Sequence, residues 1–407
     1  RYVTGELFTS KQREWIGLER LKTMSKLVTF FRKETVLCVS LVLAVASMCI
    51  VPPDGEYRTY IDFKTLAILF CLMCVMAGLQ KAGVFERGAG KLLGHVRGGS
   101  GLILVLVLLC FFSGMLITND VALITFVPFT FIVLDMLGNG QKEKLVLPVV
   151  VMQTIAANLG SMLTPIGNPQ NLYLFGKAGF SVSGFIMLML PYTILSLVLL
   201  ILWCLIQGRA CPKALEAGKA SVRKNYPQGK KVICQIVVYL VLFLLCLLSV
   251  GRILPWQAVL FAVILAVFLT DRKIFGKVDY SLLLTFFAFF VFVGNVGRIP
   301  VFRDFLQNMI AGREIYTAVL GSQVISNVPA ALLLSGFTQD YAGLIIGTNL
   351  GGLGTLIASM ASLISYKYVA KEMSGSKSKY ILLFTIGNIV FLAALVLLNI
   401  LLGSRGV

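Results

Sequence analysis

Apolar runs of membrane-spanning length dominate the chain, and short polar or basic segments separate them. A helix needs roughly 20 apolar residues to cross the hydrocarbon core of a bilayer, which is about 30 Å thick. Complete spans are predicted at about residues 35–51, 62–80, 185–206, 232–250, 255–270, 280–297 and 380–402. We therefore expect an all-α polytopic membrane protein, because the strands of a β-barrel would read as short alternating segments.

One long apolar stretch, residues 101–137, is interrupted only by Thr118, Asn119 and Asp120. Two interpretations are open: two complete spans that meet outside the bilayer, or two half-helices whose tips meet inside it. Polar groups at membrane depth are costly and are usually functional. Because the polar segment is short and apolar residues flank it closely, we favour a re-entrant hairpin with a buried tip.

Three further segments are apolar but interrupted. Over 145–175, the motif NLGSMLTPIGNPQN contains Pro and Gly residues that cannot continue a straight helix. A second broken helix is predicted over 341–366, around a Gly-Gly pair. A second hairpin is predicted over 303–338, with Ser326 and Asn327 at its tip.

The interrupted segments form an internal repeat. The matching pairs are TNDVALITFVPF (118–129) with SNVPAALLLSGF (326–337), NLGSMLTPI (158–166) with NLGGLGTLI (349–357), and residues 70–92 with 286–309. The first pair aligns Asn119 with Asn327, and the third aligns Gly78 with Gly294. Counted from the first opening span, the second opening span (280–297) is the fifth further crossing, so the second copy is expected to run in the opposite direction.

Charge supports this topology and indicates how the chain is divided. The chain is 58% hydrophobic and only 13% charged, and 28 of its 36 Lys and Arg residues fall in the segments that this topology places in the cytoplasm. The predicted units are a cytoplasmic N-terminal arm (1–34), the first span with the first repeat (35–207), a basic cytoplasmic linker (208–231) and the second repeat (232–402). The net charge of +18 is therefore a sign of topology, and no nucleic-acid partner is expected.

Interrupted helices at corresponding positions of two repeats are typical of secondary transporters with a site near the membrane midplane. A helix N-terminus has about +0.5 of an elementary charge, and exposed carbonyls at a C-terminus suit Na⁺. Apart from Lys64, near the start of the second span, no Lys or Arg falls within a complete predicted span, so helix N-termini and amide side chains are the main groups left to bind an anion. Asp120 is the carboxylate deep in a hairpin, whereas Asp135 is expected near the interface.

Simpler interpretations stay open for single elements. An Asn in a membrane helix often only joins helices, and a Gly-Gly pair can simply allow close packing. The sequence shows no nucleophile constellation, metal-ligand cluster or phosphate-binding loop, so we expect no enzyme and no cofactor.

TNDVALITFVPF, NLGSMLTPIGNPQN and SNVPA resemble the ion transporter superfamily, which includes divalent anion/sodium symporters, citrate-transporter-like permeases and arsenite permeases. The resemblance covers about residues 35–402. It implies a homodimer in which a mobile transport part moves against a scaffold part, as in an elevator. It also implies that the hairpin tips and broken helices bind substrate and Na⁺.

Carried onto this chain, the resemblance implies two sets of residues. The substrate set is Thr118, Asn119, Asp120, Asn168, Ser326, Asn327, Asn349 and Thr355. The cation set is Asn119, Asp120, Gly160, Thr164 and Gly167. Asp120 and Val328 stand where the dicarboxylate branch has Thr, and the second broken helix lacks a Pro-Asn loop. These departures favour one strong cation site over two.

The sequence predicts a secondary active transporter that moves a small anion, a carboxylate or an oxyanion, with Na⁺ or H⁺ as the coupling ion. An Asn-Asp tip also resembles the arsenite-permease branch, so efflux of arsenite or another oxyacid is the first alternative, and a Na⁺/H⁺ antiporter is another. The expected setting is the lipid bilayer of a bacterial inner membrane, with the N-terminus in the cytoplasm and the C-terminus outside.

Overall fold

The computed structural model describes residues 34–93, 98–135, 141–209 and 229–403. The predicted N-terminal arm and most of the predicted basic linker lie outside these residues. Within them the chain is helical and has no strand, as expected for an all-α protein.

Eighteen α-helices are numbered here in chain order within the described residues. They are α1 (Thr35–Ile50), α2 (Tyr57–Tyr60), α3 (Phe63–Lys81), α4 (Val84–Leu93), α5 (Gly99–Ile117), α6 (Asn119–Asp135), α7 (Gln141–Ser161), α8 (Pro169–Ala178), α9 (Val182–Arg209), α10 (Lys230–Val250), α11 (Trp256–Thr270), α12 (Tyr280–Gly297), α13 (Pro300–Ile310), α14 (Glu314–Ile325), α15 (Asn327–Leu334), α16 (Tyr341–Leu350), α17 (Met360–Glu372) and α18 (Lys377–Gly403). Short 3₁₀ turns at Arg272–Lys277 and Ser374–Ser376 follow α11 and α17.

Helix length and apolar composition confirm an integral membrane protein. Seven helices in the described residues (α3, α5, α7, α9, α10, α12 and α18) are long and apolar enough to cross a bilayer. Helices α1, α11 and α16 are shorter but also apolar. Of the two helices that flank the first polar interruption, α5 is long enough to span the bilayer and α6 is shorter. Helix length therefore does not decide between a re-entrant hairpin and two complete spans there.

The order of elements occurs twice along the chain. A long helix, a short helix, two hairpin arms, two halves of a broken helix and another long helix appear as α3–α9 and again as α12–α18. The second hairpin begins at Glu314 rather than at residue 303, because α13 ends at Ile310 and Gly312 adopts a left-handed φ of 70°. Its arms are consequently shorter than those of the first hairpin.

The helices pack in two groups. Helix α1 lies against α12, and α3 lies against α10 and α11. In the other group α7 packs against α5, α6, α9 and α18, while α17 packs against α6. Helices α8 and α15 pack against α16, which contacts α7 and α18 of the second group. They also reach the first group, since α8 contacts α3 and α15 contacts α12.

Glycines allow the first hairpin to lie directly on the first broken helix. A Cβ at Gly160 would overlap the backbone carbonyl of Phe111, and a Cβ at Gly114 would lie 2.9 Å from the carbonyl oxygen of Ala157. The aligned position in the second repeat, Gly351, has the same constraint, because a Cβ there would lie 2.6 Å from Ser322 Oγ.

The aligned pair Gly78 and Gly294 has another shared role. A Cβ at Gly78 would overlap the ring of Tyr239, and a Cβ at Gly294 would overlap the ring of Tyr60. In each repeat, a glycine in the opening helix therefore leaves the space in which a tyrosine ring packs.

Ion pairs join helix ends that the predicted topology places on the same side. Lys81 at the end of α3 pairs with Asp271 just after α11, and this hydrogen bond lowers the pKa of Asp271 below its usual value. Arg298 after α12 pairs with Asp54 in the loop after α1, at 2.7 Å. Contacts and predicted topology are thus consistent.

We expect Gly160→Ala to lower the thermal stability of the detergent-solubilised protein. The new methyl group meets backbone rather than a flexible side chain, and overpacking of this kind costs about 1–3 kcal/mol. Gly88→Ala is the matched control, because nothing lies within 4 Å of a Cβ there. In α4 it should raise stability by about 0.5–1 kcal/mol through helix propensity. Equal melting temperatures for the two variants would contradict the close approach of α5 and α7.

Candidate functional site

The two hairpin tips have the same backbone conformation. Thr118 joins α5 to α6 with φ 70° and ψ 151°, and Ser326 joins α14 to α15 with φ 74° and ψ 155°. Positive φ is uncommon for residues other than glycine, so surrounding contacts must maintain it. Asn119 and Asn327, which begin the second arms, are each only 4% exposed.

Each tip is hydrogen-bonded to the broken helix of its own repeat. The backbone N–H of Asn119 donates to Gly167 O at 3.3 Å, and that of Asn327 donates to Ala358 O at 2.9 Å. Gly167 and Ala358 occupy aligned positions in the two breaks. The first N–H of each second arm therefore finds its acceptor in the interruption of another helix.

A threonine in each break donates a hydrogen bond to the first arm of the hairpin in its own repeat. Thr164 donates its hydroxyl hydrogen to Met115 O, and Thr355 donates to Gln323 O at 3.2 Å. Thr164 aligns with Thr355, and both acceptors stand three residues before their tip residue. The same hydrogen bond between break and hairpin arm is therefore present in both repeats.

Asn158, at the end of α7, links the repeats. Its Oδ1 accepts hydrogen bonds from Asn119 Nδ2 at 2.9 Å and from Ser359 Oγ at 3.0 Å. Its Nδ2 lies 3.5 Å from Gly352 O. A Cβ at Gly352 would lie 3.1 Å from Asn327 Nδ2, so the first tip, both breaks and the second tip form one continuous cluster.

Asn349, which aligns with Asn158, makes the reciprocal link. Its Nδ2 donates to Asn171 Oδ1 at 2.7 Å, and Asn171 in turn donates to the carbonyls of Ser161 and Thr164 at 3.3 Å. The Oδ1 of Asn349 is buried and has no hydrogen-bond partner within the described residues. A buried acceptor of this kind is available to a bound cation or proton donor.

Helix ends determine the electrostatics of the cluster. Four helices (α6, α8, α15 and α17) begin in it, and four others (α5, α7, α14 and α16) end in it. The N-termini contribute partial positive charge, while the C-termini offer carbonyl oxygens. No Lys or Arg side chain is buried in the described part of the chain, so these partial charges face no competing cation.

Asp120 is the charged residue of the tip. It is half-buried, and its backbone N–H donates to Asn119 Oδ1 at 2.9 Å. This bond fixes the amide orientation of Asn119, so that its Nδ2 points to Asn158.

The remaining predicted residues lie in or beside the cluster with different surroundings. Asn168 precedes α8 and donates to Ser161 Oγ at 2.7 Å, which closes the first break. At Gly160 and Gly167 a Cβ would overlap neighbouring backbone, so packing requires glycine at both positions. Thr355 is exposed, and its backbone N–H donates to Gln323 Oε1 at 2.9 Å.

Sequence reasoning missed several members of the cluster. Asn158 could have been found, because the NLG match aligns it with Asn349. Asn171 ends the loop 164–171, which the resemblance implies in a cation site with the first hairpin, but no sequence signal indicated its contact with Asn349. Gln323 holds the second break through Gly351 O at 3.0 Å and Leu353 O at 2.9 Å, and no local pattern indicates this.

The chain is similar to membrane transport proteins over most of its length. The family model described as Citrate transporter (CitMHS) matches residues 26–343. An uncharacterized transporter of Methanocaldococcus jannaschii is 32% identical over 340 residues, covering 83% of this chain and 88% of the relative. The inner membrane protein YbiR of Escherichia coli is 31% identical over 312 residues, covering 75% and 80%. The silicon efflux transporter LSI3 of Oryza sativa subsp. japonica is 30% identical over 178 residues, covering 42% and 35%.

A double-mutant cycle on Asn119→Ala and Asn158→Ala should reveal coupling of about 0.5–1.5 kcal/mol, the usual net value of an intramolecular hydrogen bond. Unfolding in mixed detergent micelles would provide the free energies. Asn119→Ala combined with Tyr192→Phe is the control, because Tyr192 donates to Asn399 in a separate contact. If the Asn119 and Asn158 variants were additive, the link between tip and break would be energetically unimportant.

Proposed function

Because this chain belongs to the citrate transporter family and its relatives are named as transporters, we propose that it is a secondary active transporter for a small carboxylate or oxyanion. The coupling ion is Na⁺ or H⁺, and the cluster around the two hairpin tips is the transport site. The observation that supports this most directly is the convergence of Asn119, Asn158, Asn349 and Gly352 at the junction of four interrupted helices.

An anion is the cargo that suits the junction. Four helix N-termini and the amide groups of Asn119 and Asn327 provide donors and partial positive charge without a full cationic side chain. Such a site binds an anion only moderately, because partial charges attract it less than a buried Lys or Arg would. Moderate affinity favours release on the far side of the membrane.

The coupling ion is assigned to the first tip. Asp120 would repel a dianion unless Na⁺ or a proton neutralises it. Gly160, Thr164 and Gly167 surround the break beside this tip, and the second lone pair of Gly167 O is available in addition to the bond from Asn119. A cation bound between Asp120 and these carbonyls would make anion binding favourable, which is the basis of coupled transport.

The proposed transport movement is a shift of one packing group of helices against the other. We infer that α5–α9 and α14–α18 shift as an elevator against α1, α3 and α10–α12, with the two tips entering from opposite sides of the membrane. The recurrence of element order and of tip contacts supports a repeat, and the predicted number of crossings between the copies makes it an inverted one. The predicted homodimer, with its N-terminus in the cytoplasm of a bacterial inner membrane, completes this proposal.

Efflux of a neutral oxyacid is the second candidate. The rice relative is named a silicon efflux transporter, and silicic acid is an uncharged oxyacid at neutral pH. Asp120 at the first tip favours this candidate, because a carboxylate accepts hydrogen bonds from hydroxyl groups and does not repel an uncharged acid. Proton exchange at Asp120 would then drive export.

Uptake into proteoliposomes tests both candidates. Citrate, succinate, arsenite and silicic acid are offered with an imposed Na⁺ gradient, an imposed pH gradient or neither. We expect one of the carboxylates to accumulate only with a gradient. Gradient-driven movement of arsenite or silicic acid alone would select the second candidate. If no compound responded to either gradient, coupled transport of these classes would be excluded.

The variant Asp120→Asn should separate coupling from folding. We expect a melting temperature close to that of the parent and gradient-driven uptake reduced by at least about tenfold, which corresponds to about 1.4 kcal/mol. Asp135→Asn is the matched control, because Asp135 ends the second arm of the same hairpin and is exposed. Unchanged ion dependence in Asp120→Asn would contradict the assignment of the coupling ion to this tip.

A further inference from the structure

A cavity of about 220 Å³ lies at one end of the helix that follows the first break. Its wall combines the start of α3, the end of α8 and the turn after α10. The predicted topology places all three of these ends on the outer side of the membrane. The cavity therefore lies where the end of α8 meets α3 and the end of α10, which belong to the first group.

Three cationic side chains, Lys64, Lys177 and Arg252, surround this cavity. None of them lies within ion-pair distance of a carboxylate in the described residues. The one carboxylate in the wall, Asp62, accepts hydrogen bonds from the backbone N–H and the hydroxyl of Thr65 at 3.0 and 2.6 Å. Asp62 is thus occupied in capping α3, and the cavity keeps an excess of positive charge.

Two other cations at the same end of the molecule are paired with carboxylates. Arg298 lies 2.7 Å from Asp54, and Arg303 lies 3.2 Å from Asp304. Two of the three cavity cations meet aromatic rings instead. Lys177 Nζ is 5.9 Å from the centre of the Tyr173 ring, and the Arg252 guanidinium is 5.6 Å from that of Phe175.

Backbone geometry holds Arg252 at the cavity. Its φ is 63°, a value that side-chain-bearing residues rarely adopt. Its guanidinium donates to Gly179 O at 3.3 Å, just beyond α8. This left-handed residue ends α10, where Ile253 N–H donates to Leu248 O, and the turn places the guanidinium beside the cavity.

We propose that this cavity, bounded by Lys64, Lys177 and Arg252, is a second anion-binding site, which receives a small carboxylate or oxyanion at the outer end of the transport path. The inference rests on the proposed function, because α8 connects the two places. Lys177 lies near its end and Asn171 near its start, about 9 Å apart at 1.5 Å per residue. The basic cavity raises the local anion concentration beside the moderate-affinity junction.

The walls also limit what can bind. Ile68, Leu172 and Val250 add apolar surface to the same wall, which suits a short hydrocarbon skeleton bearing carboxylates. A phospholipid headgroup offers the same anionic chemistry, so the test must distinguish a soluble anion from a lipid.

Gly176→Cys provides a reporter inside the cavity that leaves every cation in place. The nearest atom to a Cβ there is Thr65 Oγ1 at 3.8 Å, so the substitution fits. Gly55→Cys is the matched control, because it is exposed between Asp54 and Glu56 and nothing lies within 4 Å of its Cβ. Both are made with Cys49, Cys211 and Cys234 replaced by Ser, and the purified full chain is labelled with anionic or cationic methanethiosulfonate reagents.

We expect the ratio of anionic to cationic labelling rates to be at least about tenfold higher at Gly176→Cys than at Gly55→Cys. Citrate or inorganic phosphate should slow anionic labelling saturably, and Lys64→Gln with Arg252→Gln should abolish both effects. Equal ratios at the two positions, or no protection by either anion, would overturn the proposal. Protection only in nanodiscs of anionic lipid, and not in detergent with citrate or phosphate, would also overturn it by identifying a lipid site.

This experiment is independent of transport. If uptake assays found no anion to be carried but labelling were protected, the proposed function would fail and the cavity would stand. If a carboxylate were carried without any protection at Gly176→Cys, only the cavity proposal would fail.

Discussion

Water cannot reach the backbone inside a bilayer, so an interrupted helix must find other partners for its free N–H and C=O groups. Here the partners are other interruptions. The N–H of Asn119 is satisfied by the first break and that of Asn327 by the second, and threonines in the breaks return the contact to the hairpin arms. The two hairpins and the two broken helices can lie together inside the bilayer because the donors of one interrupted element meet the carbonyl acceptors of another.

The amide network extends this arrangement across the repeats. Asn158 and Asn349 occupy aligned positions, and each reaches the broken helix of the other half. Amides can both donate and accept, so they connect helix ends without introducing a fixed charge. The junction is consequently held together by neutral amide groups, and in the proposed function these groups would bind a small solute.

Much of the fold was predictable because its signals are local. Apolar runs located the spans, and Pro and Gly residues located the breaks. The match of TNDVALITFVPF with SNVPAALLLSGF aligned two tips that have nearly the same backbone angles, although neither tip residue is glycine. Thr355 and Gln323 show the limit of this reasoning. Thr355 stays a predicted substrate residue, and its hydroxyl donates to the carbonyl of Gln323, which only chain folding brings near.

The sequence by itself determined the class of the protein, the positions of its interruptions and the pairing of its two repeats, because each depends on composition or spacing within a short segment. Tertiary structure decided which polar groups meet. The Asn158 contacts join residues far apart in the chain, and the cavity of Lys64, Lys177 and Arg252 gathers the ends of three helices. Such contacts depend on how helices pack, and packing is set by the whole set of side-chain shapes rather than by any local pattern.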